Sequence, residues 1–199
     1  DEFLKDIKKF NADVFVVVAF KILPKKVWTI PHLGTINIHA SLLPNLRGAA
    51  PINWAIIHGL NKTGLTSFYI NEGVDTGDII SQIEIEINKT DDFGSLYKKL
   101  KLNSGKFILD TLNNLKRGEK QKSFGNILNA PKLNKENTKI KWTDNGDEIC
   151  RKVKGLSPIP GAWSRLESEN KIIKIYDAIF HKEKNNLSNG EMFIRSKNK

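Results

Sequence analysis

The run from Asp13 to Phe20, Asp-Val-Phe-Val-Val-Val-Ala-Phe, has no polar residue after its first. β-Branched and aromatic residues without alternation suit a strand buried on both faces, a situation that arises when helices cover a largely parallel sheet. The residues around it supply such helices and further strands. Gly34 to His39 reads as a second strand. Pro51 opens a short helix over Ile52 to His58 and Gly59 ends it, because proline is tolerated in the first turn and glycine at the exit. Thr66 to Asn71 reads as a strand, and Ile79 to Ile87 alternates as a strand with one wet face. Thr90 precedes a long amphipathic helix from Asp91 to about Arg117, which Gly118 ends. Strands separated by helices predict an α/β chain with a doubly wound sheet, whose ligands sit beyond the carboxyl ends of the strands.

From Glu119 to Thr138 the chain is polar, rich in Lys and Asn, and without sustained periodicity, the pattern of a surface linker. The expected organisation is therefore a catalytic-type unit over 1–118, a linker over 119–138 and a second unit over 139–199. In the second unit Trp142, Ile149 and Val153 share one face of a short helix capped by Thr143. Ala162 to Glu167 and Lys171 to Phe180 read as strands joined by a Glu-Ser-Glu-Asn turn, the beginning of a small β-rich domain. The chain begins at Asp1 already inside an α/β pattern and stops at Lys199 among polar residues. The expectation is that both the sheet and the β-rich unit are represented in part.

Composition excludes several classes. The longest apolar run, Val14 to Phe20, falls far short of the roughly 18 residues that a bilayer-spanning helix needs, so no membrane span is expected. Cys150 is the only cysteine, which forbids an internal disulfide or a multi-cysteine metal cluster and makes the cytoplasm the default compartment. The four histidines are not at zinc-ligand spacings, Gly105-Lys106 lacks the flanks of a phosphate loop, and Asp75 and Asp78 lack the ladder of a calcium loop. No metal is expected. The net charge of +10 suits a polyanionic partner such as RNA and equally suits a lysine-rich solvated surface.

The densest polar segment runs Asn37-Ile-His-Ala-Ser-Leu-Leu-Pro-Asn-Leu-Arg-Gly-Ala-Ala-Pro51. Asn37 and His39 are two apart on a strand, so one amide and one imidazole face the same side at a strand end. Taken alone, an Asn-x-His pair is more often structural. A second segment, Asn71-Glu-Gly-Val-Asp-Thr-Gly-Asp78, is a loop in which Gly73 and Gly77 permit tight turns around Asp75, and plain turn residues would also account for it.

Together these pieces resemble the folate-dependent formyltransferases. His39-Ala-Ser-Leu-Leu-Pro, Arg47-Gly-Ala-Ala-Pro-Ile52, Val74-Asp-Thr-Gly-Asp78 and Ser157-Pro-Ile-Pro-Gly-Ala162 look most like the methionyl-tRNA formyltransferase family within that group. The resemblance implies a Rossmann-like doubly wound domain whose amino-terminal part is missing, followed by a partial OB-like β-barrel. It implies transfer of a formyl group from 10-formyltetrahydrofolate to the methionyl amine of initiator Met-tRNA by a cytoplasmic monomer. Rivals are an N-formyltransferase acting on a nucleotide-linked amino sugar and a non-catalytic RNA-binding module. The family's catalytic Asn, His and Asp fall on Asn37, His39 and Asp75. An amine attacking a formyl carbon passes through an oxyanion that an amide and a protonated imidazole can stabilise, with Asp75 setting the charge and orientation of the imidazole. The resemblance places folate against Phe20, Ile22, Leu23, Glu72 and Val74 and against the loop residues Ser41, Leu42, Leu43 and Pro44. It puts Arg47 and Gly48 on the substrate side. Asn45 and Leu46 stand where the family commonly has a basic residue and an aromatic.

Overall fold

A computed structural model of the chain describes residues 2–18, 23–115, 117–122, 126–183 and 187–192. Helix α1 (Glu2–Lys9) leads to strand β1 (Phe15–Val18), the short helix α2 (Lys25–Trp28) and strand β2 (Thr35–His39). Helix α3 (Pro51–Ile57) is followed by strands β3 (Lys62–Tyr69) and β4 (Ile79–Glu86) and by the long helix α4 (Phe93–Asn113). The chain continues with α5 (Lys135–Thr138), α6 (Gly146–Leu156), β5 (Ala162–Leu166) and β6 (Lys171–Ile175).

The first sheet has the order β1-β2-β3-β4. β1 and β2 are parallel, joined across α2, whereas β2, β3 and β4 pair antiparallel. The α/β class thus holds with a mixed sheet, since β3 and β4 are connected by the Asn71–Asp78 loop instead of a helix. The expectation that β1 is buried on both faces fails: Val16 and Val18 remain 38% and 54% exposed. Among the described residues this strand has a neighbour on one side only, so its apolar sequence is not matched by burial.

Alternation along β2 divides the sheet's two faces. Ile38 joins Ile56, Leu65, Leu96, Leu100 and Phe107 in the main core beneath α4, while Asn37 and His39 project from the opposite side. Each fully buried aliphatic side chain in that cluster contributes about 1.5–3 kcal/mol. The cluster therefore fixes the strand that carries the polar pair. A second cluster, Ile140, Val153, Leu156 and Ala162, packs with Ile57 of α3 and Ile175 of β6, tying the β5–β6 pair to the first sheet through α6. α3 and α6 approach closely because residue 155 is glycine. A Cβ there would lie 2.6 Å from Ile57 Cγ1 and 2.9 Å from the Asn53 carbonyl oxygen. The buried Asn53 side chain donates from Nδ2 to the Gly155 carbonyl at 2.8 Å across this contact.

Helix starts depart from expectation by two residues. α4 is capped by Asp92 with Ser95 completing the box, and α6 by Asn145 with Glu148, in place of Thr90 and Thr143. Asp91, just before the α4 cap, is buried. Burial pushes its carboxyl up, but hydrogen bonds from Lys99, Ser95 and the Asn88 N–H outweigh that effect and leave it below the ordinary aspartate value. Such a depressed carboxylate contributes stability above its unfolded value of about 3.9 and loses it as pH falls through the folded value. Asp91→Ala should destabilise the chain by about 1–3 kcal/mol at pH 7, because it strands the Ser95 and Asn88 donors, and by less near pH 3, where part of the carboxylate's contribution is already lost. Urea titrations at the two pH values check this, and equal losses at both would contradict it.

Candidate active site

β2 delivers Asn37 and His39 to the carboxyl end of the sheet, and the chain then turns through the loop 40–50 into α3. His39 is 7% exposed. Its Nε2 lies 2.8 Å from the Leu46 carbonyl oxygen. A carbonyl can only accept, so Nε2 carries the proton and Nδ1 points the other way. There it meets the Asp75 carboxylate, with Nδ1 and Oδ2 3.6 Å apart and both side chains largely buried. At that separation the contact is electrostatic and not a hydrogen bond. The same Oδ2 accepts the Gly48 N–H at 2.9 Å.

Asn37 lies two residues before His39 on β2, opposite Val17 and Phe68. Its Oδ1 is buried and has no hydrogen-bond partner among the described residues. A buried acceptor without a donor costs about 1–3 kcal/mol, so this atom suits a polar ligand that brings an N–H.

Two backbone positions hold the geometry at a cost. Asp75 adopts φ +52° and Leu46 φ +61°. Aspartate tolerates the left-handed region, but leucine does not do so without strain of about 1–2 kcal/mol. The Leu46 side chain, 1% exposed, offsets this by packing with Ala55 and Ala130. Asn45 accepts the Ser41 hydroxyl at its carbonyl (2.7 Å) and the Leu128 N–H at its side chain (3.2 Å).

The remaining expected residues divide. Ser41 is fully buried, and Leu43 is nearly so, its N–H donating to Thr66 Oγ1 at 3.2 Å. Thr66 in turn donates to the Ser41 carbonyl at 2.6 Å, and Gln82 donates to the Leu43 carbonyl at 3.0 Å. Ser41 and Leu43 thus spend their polar groups in shaping the loop. Leu42 and Pro44 are half-buried, and the Leu43–Pro44 peptide is cis. Glu72 reaches across to Lys25 at 2.7 Å, an exposed ion pair that links the segment following Leu23 to the aspartate loop. The hydrogen bond from Lys25 and its charge lower the Glu72 carboxyl below its ordinary value. Val74, on the aspartate loop, is 58% exposed. Phe20 and Ile22 lie outside the described residues.

Residues 119–122 and 126–130, read from sequence as part of a linker, run along the site as a strap. Leu46 N–H donates to the Leu128 carbonyl at 2.6 Å, Ala130 N–H to the Arg47 carbonyl at 2.8 Å, and Ala50 N–H to the Ala130 carbonyl at 3.2 Å. Gln121 accepts from Arg47 Nε at 3.2 Å and donates to the carbonyls of Asp75 and Gly77, both at 2.9 Å. No sequence signal marks Gln121, which stands between Lys120 and Lys122 in a polar tract.

With this geometry in place, a family model described as formyl transferase matches residues 1–112, and one described as formyl transferase, C-terminal domain, matches 132–199. The chain belongs to the formyl transferase family. It is 45% identical over 203 residues to a methionyl-tRNA formyltransferase of Flavobacterium johnsoniae, covering 99% of this chain and 64% of that relative. It is 38% identical over 208 residues to the methionyl-tRNA formyltransferase of Bacteroides fragilis, covering all of this chain and again 64% of the relative. The chain therefore spans less than two thirds of the length of these curated relatives. Among solved structures, a methionyl-tRNA formyltransferase from Clostridium thermocellum matches with a TM-score of 0.68 at 20% identity, over 86% of this chain and 80% of that one. HypX from Aquifex aeolicus in complex with tetrahydrofolic acid gives 0.68 at 24% identity, over 81% and 29%. At those identities the structural likeness establishes the fold. No helix among the described residues is long and apolar enough to cross a membrane, and no group of metal-ligating side chains occurs among them.

Gly48 is the position where loop and strap meet. Its φ is +123°, and a Cβ there would sit 2.4 Å from the Ala130 carbonyl oxygen. Gly48→Ala should cost about 1–3 kcal/mol and should expose the Leu46 and Ala130 amides to hydrogen exchange. Unchanged protection at both amides would show that the strap does not depend on this contact.

Proposed function

We propose that the chain transfers a formyl group from 10-formyltetrahydrofolate to the methionyl amino group of initiator Met-tRNA, in the cytoplasm. The observation that carries this reading is the pairing of His39 with Asp75 beside Asn37 Oδ1, which has no partner among the described residues, within a chain 45% identical to a methionyl-tRNA formyltransferase over nearly its whole length. When bound, the folate supplies the formyl group as an electrophile. Leu23, Glu72 and Val74 would line its place with Leu42 and Pro44. The half-apolar, half-polar character of these residues fits a flat heteroaromatic ring that needs both packing and edge hydrogen bonds.

The chain's own groups divide the work. Asn37 Oδ1, a buried acceptor, suits an N–H of the attacking methionyl amine and aligns it. Asn37 Nδ2 is then free to donate to the formyl oxygen as negative charge develops there. Loss of one such donor typically lowers the rate about a hundred- to a thousandfold. His39 holds its Nε2 proton on the Leu46 carbonyl, so Nδ1 beside Asp75 is the nitrogen whose protonation changes. Asp75 stabilises the imidazolium, and the Gly48 N–H holds the carboxylate in position. The amine must lose a proton and the departing folate nitrogen must gain one, which an imidazole can mediate. No side chain need become acylated. The basic surface supplies attraction to tRNA phosphates without reading sequence.

His39→Ala should lower kcat for transfer from 10-formyltetrahydrofolate to methionyl initiator tRNA about a hundred- to ten-thousandfold. Asp75→Asn, which keeps an acceptor for Gly48 but no charge for the imidazolium, should produce a loss of similar order. The measurement is single-turnover formylation by the complete reading frame, with a nucleotide-linked amino sugar as a parallel acceptor. Transfer to the sugar alone would replace this reading with a sugar N-formyltransferase, and folate binding without transfer to either would leave a binding module.

A further inference from the structure

Gln121 belongs to none of the segments that point to catalysis, yet its side chain touches both loops that carry it. Its Oε1 accepts from Arg47 through Nε at 3.2 Å and also through Nη2. Its Nε2 donates to the Asp75 carbonyl and to the Gly77 carbonyl, each at 2.9 Å. Both amide hydrogens are spent on carbonyls and the amide oxygen on a guanidinium, which uses the hydrogen-bonding capacity of a carboxamide well. The approach of the side chain is itself fixed by backbone. Glu119 exchanges two hydrogen bonds with Ile79, both 2.7 Å, so residue 121 enters beside the Gly77 turn.

Asp75 needs such a hold. It sits in the left-handed region at φ +52°, and its Oδ2 must stay at once 2.9 Å from the Gly48 N–H and 3.6 Å from His39 Nδ1. A rotation of the 75–77 backbone would swing the carboxylate away from both. Gln121 grips that backbone on the carbonyl side.

We propose that Gln121 is a positioning residue for formyl transfer, acting through its two Nε2–H donors on the aspartate loop. The inference rests on the reading of His39 and Asp75 as the catalytic pair. Glutamate at this position separates the two arms of the contact. It keeps and strengthens the bond to Arg47, but it has no donor and sets a negative oxygen against two carbonyls.

The test uses the complete reading frame with Gln121→Leu and Gln121→Glu. Both variants should lower kcat about ten- to a hundredfold, the scale on which small misplacements of catalytic groups act, while KM for 10-formyltetrahydrofolate changes by less than about twofold. The Gly48 amide should lose its protection from hydrogen exchange in both, with the β3 and β4 amides unaffected. Recovery of wild-type kcat in Gln121→Glu would overturn the proposal by assigning the role to the Arg47 arm. Retained protection of Gly48 would overturn it as well, and so would a joint fall of kcat, KM and melting temperature, which marks a merely structural role. A wild-type protein that fails to formylate methionyl-tRNA would sink the functional reading, and the Gly48 exchange measurement would still decide whether Gln121 holds the aspartate loop.

Discussion

The bond from His39 Nε2 to the Leu46 carbonyl organises this molecule's candidate chemistry. It selects one tautomer of a buried imidazole and directs the other nitrogen at Asp75. To offer that carbonyl, Leu46 must adopt a left-handed backbone that disfavours leucine, and the loop accepts the strain because the side chain is buried against Ala55 and Ala130. Ser41, Thr66, Gln82 and the backbone of residues 128–130 then satisfy the loop's remaining polar groups. A core contact, a strained residue and a ring proton are links in one chain of cause.

Much of this was legible in the sequence, for reasons that differ by element. β2, β4 and α3 were marked by local signals: alternation, a proline at the first helical position and a glycine at the exit. β3 begins earlier than its strand signal, at Lys62, because pairing with β4 through Glu86 orders residues whose own preferences are weak. The caps of α4 and α6 lie two residues beyond Thr90 and Thr143, which are good caps locally, because the reciprocal boxes Asp92–Ser95 and Asn145–Glu148 satisfy two donors each. α1 and α2 lie outside the elements expected from the sequence.

The site was legible to the extent that its residues lie in dense motifs. Asn37, His39, Asp75 and Gly48 stand in two Gly- and Pro-shaped segments, and the structure brings His39, Asp75 and Gly48 into contact. What could not be read was the use of backbone carbonyls, because every residue type has one. Leu46 enters the site through its carbonyl. Gln121 enters by binding the carbonyls of Asp75 and Gly77. Neither the donor–acceptor geometry of a main chain nor the return of a polar tract to a distant loop leaves a periodic trace.

The glycine at the crossing of α3 and α6 carries a mechanical meaning. With no side chain between the helices, backbone meets side chain at van der Waals range and Asn53 bolts one helix to the carbonyl of the other. Close-packed interfaces transmit small displacements instead of absorbing them. α3 begins at Pro51, directly after the loop that ends in Ala50. A push on α6 from the β5–β6 side therefore has a stiff route to the residues around His39, and load on the carboxyl-terminal part of the chain is felt at the loop 40–50 as a change in its footing.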